Sequence, residues 1–200
     1  MSRALLIIDV QESFRQRPIW RAVSDPKIAD HLLPVVKAAR AAGDEVIWVL
    51  HSEPGTGSTF DPESGFVAIM PPLVPEENEP VLTKTSHNAF TTTNLQQLLT
   101  SRGVTEVLIT GLRTEQCCET TARLASDLGY RVTFILDGTA TNPIPDQAAP
   151  AGQSVDEMLA DPRTLTAAEI MDRTRYVLAG RFAAVCSIAE VLEQYESAPR

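Results

Sequence analysis

A chain of 200 residues, 44% hydrophobic and 22% charged, has the size and composition of one globular domain with a substantial core, expected to span residues 1–200. Its 26 acidic against 17 basic residues leave a net charge of −9, which argues against nucleic acid or an anionic membrane surface as partner, since either needs a concentrated basic face. No apolar run is long enough to span a bilayer, and "MSRALLIIDV" turns acidic too soon for a signal peptide, so a cytoplasmic location is expected.

In chain order, "ALLIIDV" from Ala4 to Val10 is the first apolar, strand-like run. "DPKIADHLLPVVKAARAAGDE" then predicts a helix with Asp25 as its cap, Pro26 in its first turn and Gly43 at its end, kinked or broken at Pro34. "EVIWVLH" from Glu45 to His51 predicts the second strand, and "PVLTK" from Pro80 a weaker one. Strand runs follow at Val104, Tyr130 and Arg181, separated by helical patterns that end at Gly103, Gly129 and Gly180. Strand–helix alternation predicts a mostly parallel sheet of about six strands with helices on both faces, a three-layer α/β/α arrangement. Two Pro- and Gly-rich segments, 51–80 and 139–163, are too long for plain connections and are expected to act as lids or pocket walls, or as surface excursions or an oligomer contact.

Parallel sheets gather functional groups at the carboxyl ends of their strands. Asp9 closes "LLIID", Lys84 closes "VLTK", and Cys117 follows "VLITGLRTEQ" at the start of a helical pattern, so all three are expected at one edge. Singly, each has an ordinary structural explanation as a turn former, a solvated lysine or a small buried hydrophobe; together they match an acid/base, a cation and a thiol. The helix N-terminus and a nearby lysine are expected to favour the Cys117 thiolate. Cys118, about 100° around the helix, is expected to face the core, as is Cys186. With three cysteines and scattered His31, His51 and His87, neither a disulfide framework nor a metal cage is expected.

"LLIIDVQESF", "KTSHNAFTTTNLQQLL" and "ITGLRTEQCCETTARLASDLGYRVTFILDGTAT" resemble the isochorismatase-like cysteine hydrolase superfamily, which includes nicotinamidases, N-carbamoylsarcosine amidase and isochorismatases. The resemblance runs from about Ala4 to Thr141 and implies a Rossmann-like sheet, no cofactor and a small-molecule substrate. It assigns the catalytic roles to Asp9, Lys84 and Cys117, with a cis peptide between Leu112 and Arg113 that turns the N–H groups of Arg113 and Cys117 into an oxyanion hole. Relatives are commonly dimers or tetramers, so a homo-oligomer is expected, and an apolar face on "IAEVLEQY" would permit one. The chain departs from nicotinamidases in having His51 without the flanking Asp-x-His metal pattern, so no metal is expected. Arg113 stands where the family commonly has a small or apolar residue.

The expected chemistry is cleavage of an amide C–N bond through a thioester. Gln11, Phe14, Trp20, His51, Asn88 and Phe90 are candidate pocket residues. Two rivals stand beside the amidase: vinyl ether hydrolysis of the isochorismate type with Asp9 as general acid, and a non-enzymatic binding or oligomer scaffold.

Overall fold

The apolar runs pair side by side in the computed structural model, which describes residues 2–197. They form β1 (Ser2–Ile8), β2 (Glu45–His51), β3 (Val81–Lys84), β4 (Val104–Leu112), β5 (Arg131–Ala140) and β6 (Ala184–Cys186). The strands lie in the order β3-β2-β1-β4-β5-β6, and every pairing is parallel. The helices are α1 (Glu12–Arg15), α2 (Ile28–Ala42), α3 (Leu95–Ser101), α4 (Glu119–Asp127), α5 (Val155–Ala160), α6 (Ala167–Leu178) and α7 (Ile188–Ser197).

Alternating side chains of each strand point to opposite faces. Leu5, Ile7, Val46, Trp48 and Leu108 meet Ile28, Leu32, Val36 and Val191 of α2 and α7 on one side of the sheet. Leu6, Ile8, Ile47, Val49, Val107 and Ile109 meet Leu95, Leu99, Ala122, Ala125 and Leu178 of α3, α4 and α6 on the other. Both sides of the central strands are therefore apolar, which is why β1, β2 and β4 read as unbroken hydrophobic runs.

Three expectations need correction. Helix α2 runs unbroken through Pro34. Pro34 lies on the exposed side while Leu32, Val35, Val36 and Ala39 are buried, so the lost backbone hydrogen bond falls where water can replace it and core packing holds the helix together. The helix starts at Ile28, after a turn that Asp25 closes by accepting from the Lys27 amide at 2.9 Å. The apolar side of α7 is not free for a second copy: Val191 is buried, and Ile188, Leu192 and Tyr195 pack on the core that α2 builds.

Of the two long segments, the first carries a 3-10 turn (Pro62–Ser64) whose Glu63 amide donates to Asp61. The second continues β5 to Ala140 and then holds α5, begun by a Ser154–Glu157 capping box.

Candidate active site

In the order β3-β2-β1-β4-β5-β6 the chain leaves β1 toward one half of the sheet and β4 toward the other, the switch point beyond which open parallel sheets commonly place their sites. Asp9 is the first residue past β1, at φ +54°, the one non-glycine residue with positive φ among those described. Aspartate tolerates this region better than most side chains, and the Asp9 amide is tied to Val49 O at 2.7 Å. Beside it, Gly111 of β4 sits at φ +121°, where a Cβ would lie 1.8 Å from Ile8 O. Only glycine lets β4 close on β1 at this level.

Lys84 ends β3, two strands away from β1, a span of about 10 Å at ordinary strand spacing. Its four-carbon stem crosses the end of β2 and brings Nζ to 2.8 Å from Asp9 Oδ2, with both side chains fully buried. Nζ also donates to Ser86 O at 3.2 Å and to Cys117 Sγ at 3.4 Å. Cys117 lies in a π-helical turn, Thr114–Cys118, directly before α4, and its carbonyl accepts from Thr121 Oγ1 at 2.6 Å. The Leu112–Arg113 peptide that leads into this turn is cis. Carboxylate, ammonium and thiol from three distant segments thus share one centre.

Burial, followed by the charge of Asp9, pushes the Cys117 thiol up to about 12 against the pull of Lys84. Desolvation thus works against the expected thiolate and outweighs the pull of the lysine. Burial also raises the Asp9 carboxyl, opposed by Lys84. Burial lowers Lys84, but Asp9 and Cys117 outweigh it and the net direction is up. The arrangement that leaves no uncompensated charge is an Asp9 carboxylate, a Lys84 ammonium and a neutral Cys117 thiol. Neither Asp9 oxygen meets a donor at full hydrogen-bond geometry among the described residues, although Lys84 Nζ lies 2.8 Å from Oδ2 and both Lys84 and the Cys117 thiol interact with the carboxylate as donors. The carboxylate therefore has room to accept a proton.

His51 joins this centre. Its Nδ1 lies 3.3 Å from Lys84 Nζ and its Nε2 3.5 Å from Glu53 Oε1. An ammonium only donates, so Nδ1 is the acceptor and the ring proton sits on Nε2, toward Glu53. Burial and Lys84 lower the His51 pKa and keep the ring neutral. Glu53, two residues beyond the strand end, was not singled out by the sequence; its spacing from His51 was the available signal.

The other candidates make contacts within the protein around the centre. Buried Gln11 accepts from the His51 amide at 2.7 Å and donates to His51 O at 3.0 Å, fastening the end of β2 to the chain after β1. Phe14 packs edge-on against Phe60 in the core, and Trp20 packs on the same core. Asn88 Oδ1 closes a turn by accepting from the amides of Phe90 and Thr91, while Phe90 stacks on Tyr130 at 6.2 Å.

Arg113 is drawn inward. Its Nε donates to Thr141 Oγ1 at 3.3 Å and its Nη2 to Asn142 O at 3.2 Å, with Glu115 Oε1 3.1 Å from Nη2. It forms part of the wall of a cavity of about 390 Å³ lined also by Arg17, Ile19, Gln116, Val155 and Met158. Asn142 to Pro145 and Gln153 to Val155 line it too, so the second long segment is a cavity wall. Asp9, Lys84 and Cys117 are not among the lining residues; Gln116, the neighbour of Cys117, is.

The family described as the isochorismatase domain matches residues 3–166. An isochorismatase family protein of Bacillus subtilis (strain 168), YrdC, is 33% identical over 145 residues, 72% of this chain and 77% of its own length. A streptothricin hydrolase of Streptomyces noursei is 38% identical over 152 residues, 74% of this chain but only 57% of its own length. Among solved structures, a hydrolase of the isochorismatase family from Chromobacterium violaceum ATCC 12472 superimposes with TM-score 0.85 at 27% identity, covering 98% of this chain and 95% of that one. The fold is that of a three-layer hydrolase with its candidate site at the β1/β4 switch point. The chain belongs to the isochorismatase family and is a hydrolase.

Proposed function

We propose that this hydrolase cleaves a C–N bond of a small amide through a Cys117 thioester, with Asp9 as proton carrier and Lys84 holding both partners. The observation that carries the proposal is the single buried centre in which Lys84 Nζ reaches Asp9 at 2.8 Å and Cys117 Sγ at 3.4 Å. The Cys117 proton passes to Asp9 as the sulfur attacks the carbonyl carbon. Coupling the two events avoids a free buried thiolate, whose formation the thiol's rise to about 12 makes costly. The carbonyl oxygen becomes an oxyanion facing the Arg113 and Cys117 N–H groups. As the tetrahedral intermediate collapses, the C–N bond breaks and Asp9 gives its proton to the departing amine. Water then adds to the thioester, Asp9 takes one of its protons, and that proton returns to the sulfur as the acid leaves. His51 and Glu53 keep Lys84 oriented.

Cys117→Ala is expected to lower amide turnover by at least about 10³-fold in a folded protein and to abolish acyl-adduct formation in intact mass spectra. Retained turnover in that variant would remove the sulfur from the mechanism.

The raised Asp9 carboxyl favours one second reading: an acid-catalysed vinyl ether hydrolysis in which Asp9 protonates the substrate and Cys117 is a bystander. In that case Asp9→Asn loses ether hydrolysis and Cys117→Ala keeps it.

A further inference from the structure

The 390 Å³ cavity inverts the charge of the molecule around it. In a chain with 26 acidic and 17 basic residues, its lining contains Arg17 and Arg113 and no Asp or Glu. The carboxylates nearest in sequence are engaged elsewhere: Asp156 with Arg21, Glu157 with the Ser154 cap, Asp146 with the Ala148 amide. Glu115 balances one guanidinium from outside the lining, through Arg113 Nη2. One positive charge is left over, on exposed Arg17, whose side chain has no hydrogen bond or ion pair among the described residues. Both N–H groups of Arg113 Nη1 are likewise unassigned after its contacts with Thr141, Asn142 and Glu115. The two guanidiniums are close enough for the charge of Arg17 to help lower the Arg113 pKa, which burial lowers first. Two guanidiniums border this space and a single carboxylate, that of Glu115, pairs with one of them, an imbalance that an anionic ligand would relieve. Ile19, Val155 and Met158 give the same space apolar wall, and its volume suits a small molecule.

We propose that this cavity is the specificity subsite of the enzyme and binds a carboxylate carried by the substrate, with Arg17 and Arg113 as its ligands and a short aliphatic spacer running toward Cys117. The subsite rests on the amidase reading only for what lies at the other end of the spacer. Arg113 links the two ends, since its side chain faces the cavity and its backbone opens the turn that carries Cys117. The preferred substrates are monoamides of short dicarboxylic acids, which the enzyme converts to the diacid and ammonia.

Two measurements separate the subsite from the chemistry. Binding of succinamate to the Cys117→Ala protein is read by calorimetry, with and without Arg17→Gln, a substitution at an exposed, unpaired side chain that the fold should accept. Turnover of succinamate and of its neutral counterpart butyramide is read as the ratio of kcat/KM. The expected results are an Arg17→Gln loss of about tenfold in succinamate affinity and the same loss in the ratio, carried mainly by KM. Arg113→Lys, which keeps charge but loses the fork, should give a similar loss. Failure of succinamate to bind, or affinity indifferent to Arg17→Gln, overturns the subsite whatever the turnover shows. Arg17-dependent binding with neither amide hydrolysed upholds the subsite and overturns the amidase reading.

Discussion

At the scale of residues, burial sets the chemistry. Asp9 and Lys84 are each fully enclosed and make sense only as a pair. Lys84→Met leaves a buried carboxylate with no counter-ion and should cost about 3–5 kcal/mol in chemical denaturation at pH 7. Adding Asp9→Asn should recover a large part of that loss, because the orphaned charge is then gone. The thiol responds to the same enclosure. Alkylation requires the thiolate, and a group raised from 9.0 to about 12 holds roughly a thousandth of the ordinary thiolate fraction at pH 8. Iodoacetamide should therefore label Cys117 slowly at neutral pH, with a rate that climbs toward pH 12, as mass spectrometry of the Cys117 peptide would follow. Rapid labelling with a midpoint below pH 9 would contradict that rise.

At the scale of elements, the site depends on how β1 and β4 end. Ile8 and Gly111 are register partners, and any Cβ at 111 would collide with the Ile8 carbonyl. Gly111→Ala should destabilise the protein by on the order of 3 kcal/mol, read as a lower denaturation midpoint, and should displace Asp9 as well. The turn carrying Cys117 was legible as the start of a helix, but not its π form. A wider turn is decided by the backbone paths on either side of it, here β4 before and α4 after. Likewise Pro34 marks a break by local chemistry, and the buried row Leu32, Val35, Val36 and Ala39 overrides it.

At the scale of the whole molecule, buried Glu119 of α4 ties α6 to the helix that follows Cys117. Its Oε2 accepts from Arg173 at 2.6 Å and from Thr174 at 2.9 Å on α6, and its Oε1 from Arg123 at 3.0 Å. Glu119→Ala should free α6 and speed backbone hydrogen exchange across residues 167–178 by about tenfold, while β1 and β4 keep their protection. The sequence by itself determined the parallel sheet, since runs such as "LLII" and "VIWVL" can satisfy burial only between two helical layers, and it determined that Asp9, Lys84 and Cys117 stand at strand ends or just beyond. Periodicity and punctuation are local, and each strand carries its own. What only the tertiary structure decided was proximity and its electrostatic consequence: which side chains face one another across β2, that burial works against the Cys117 thiolate, that Gln11 fastens the end of β2 to the chain after β1, and that Arg17 and Arg113 line one cavity in an acidic protein. Those properties belong to distances between segments tens of residues apart, and desolvation, which sets their energy, has no value until the segments are packed.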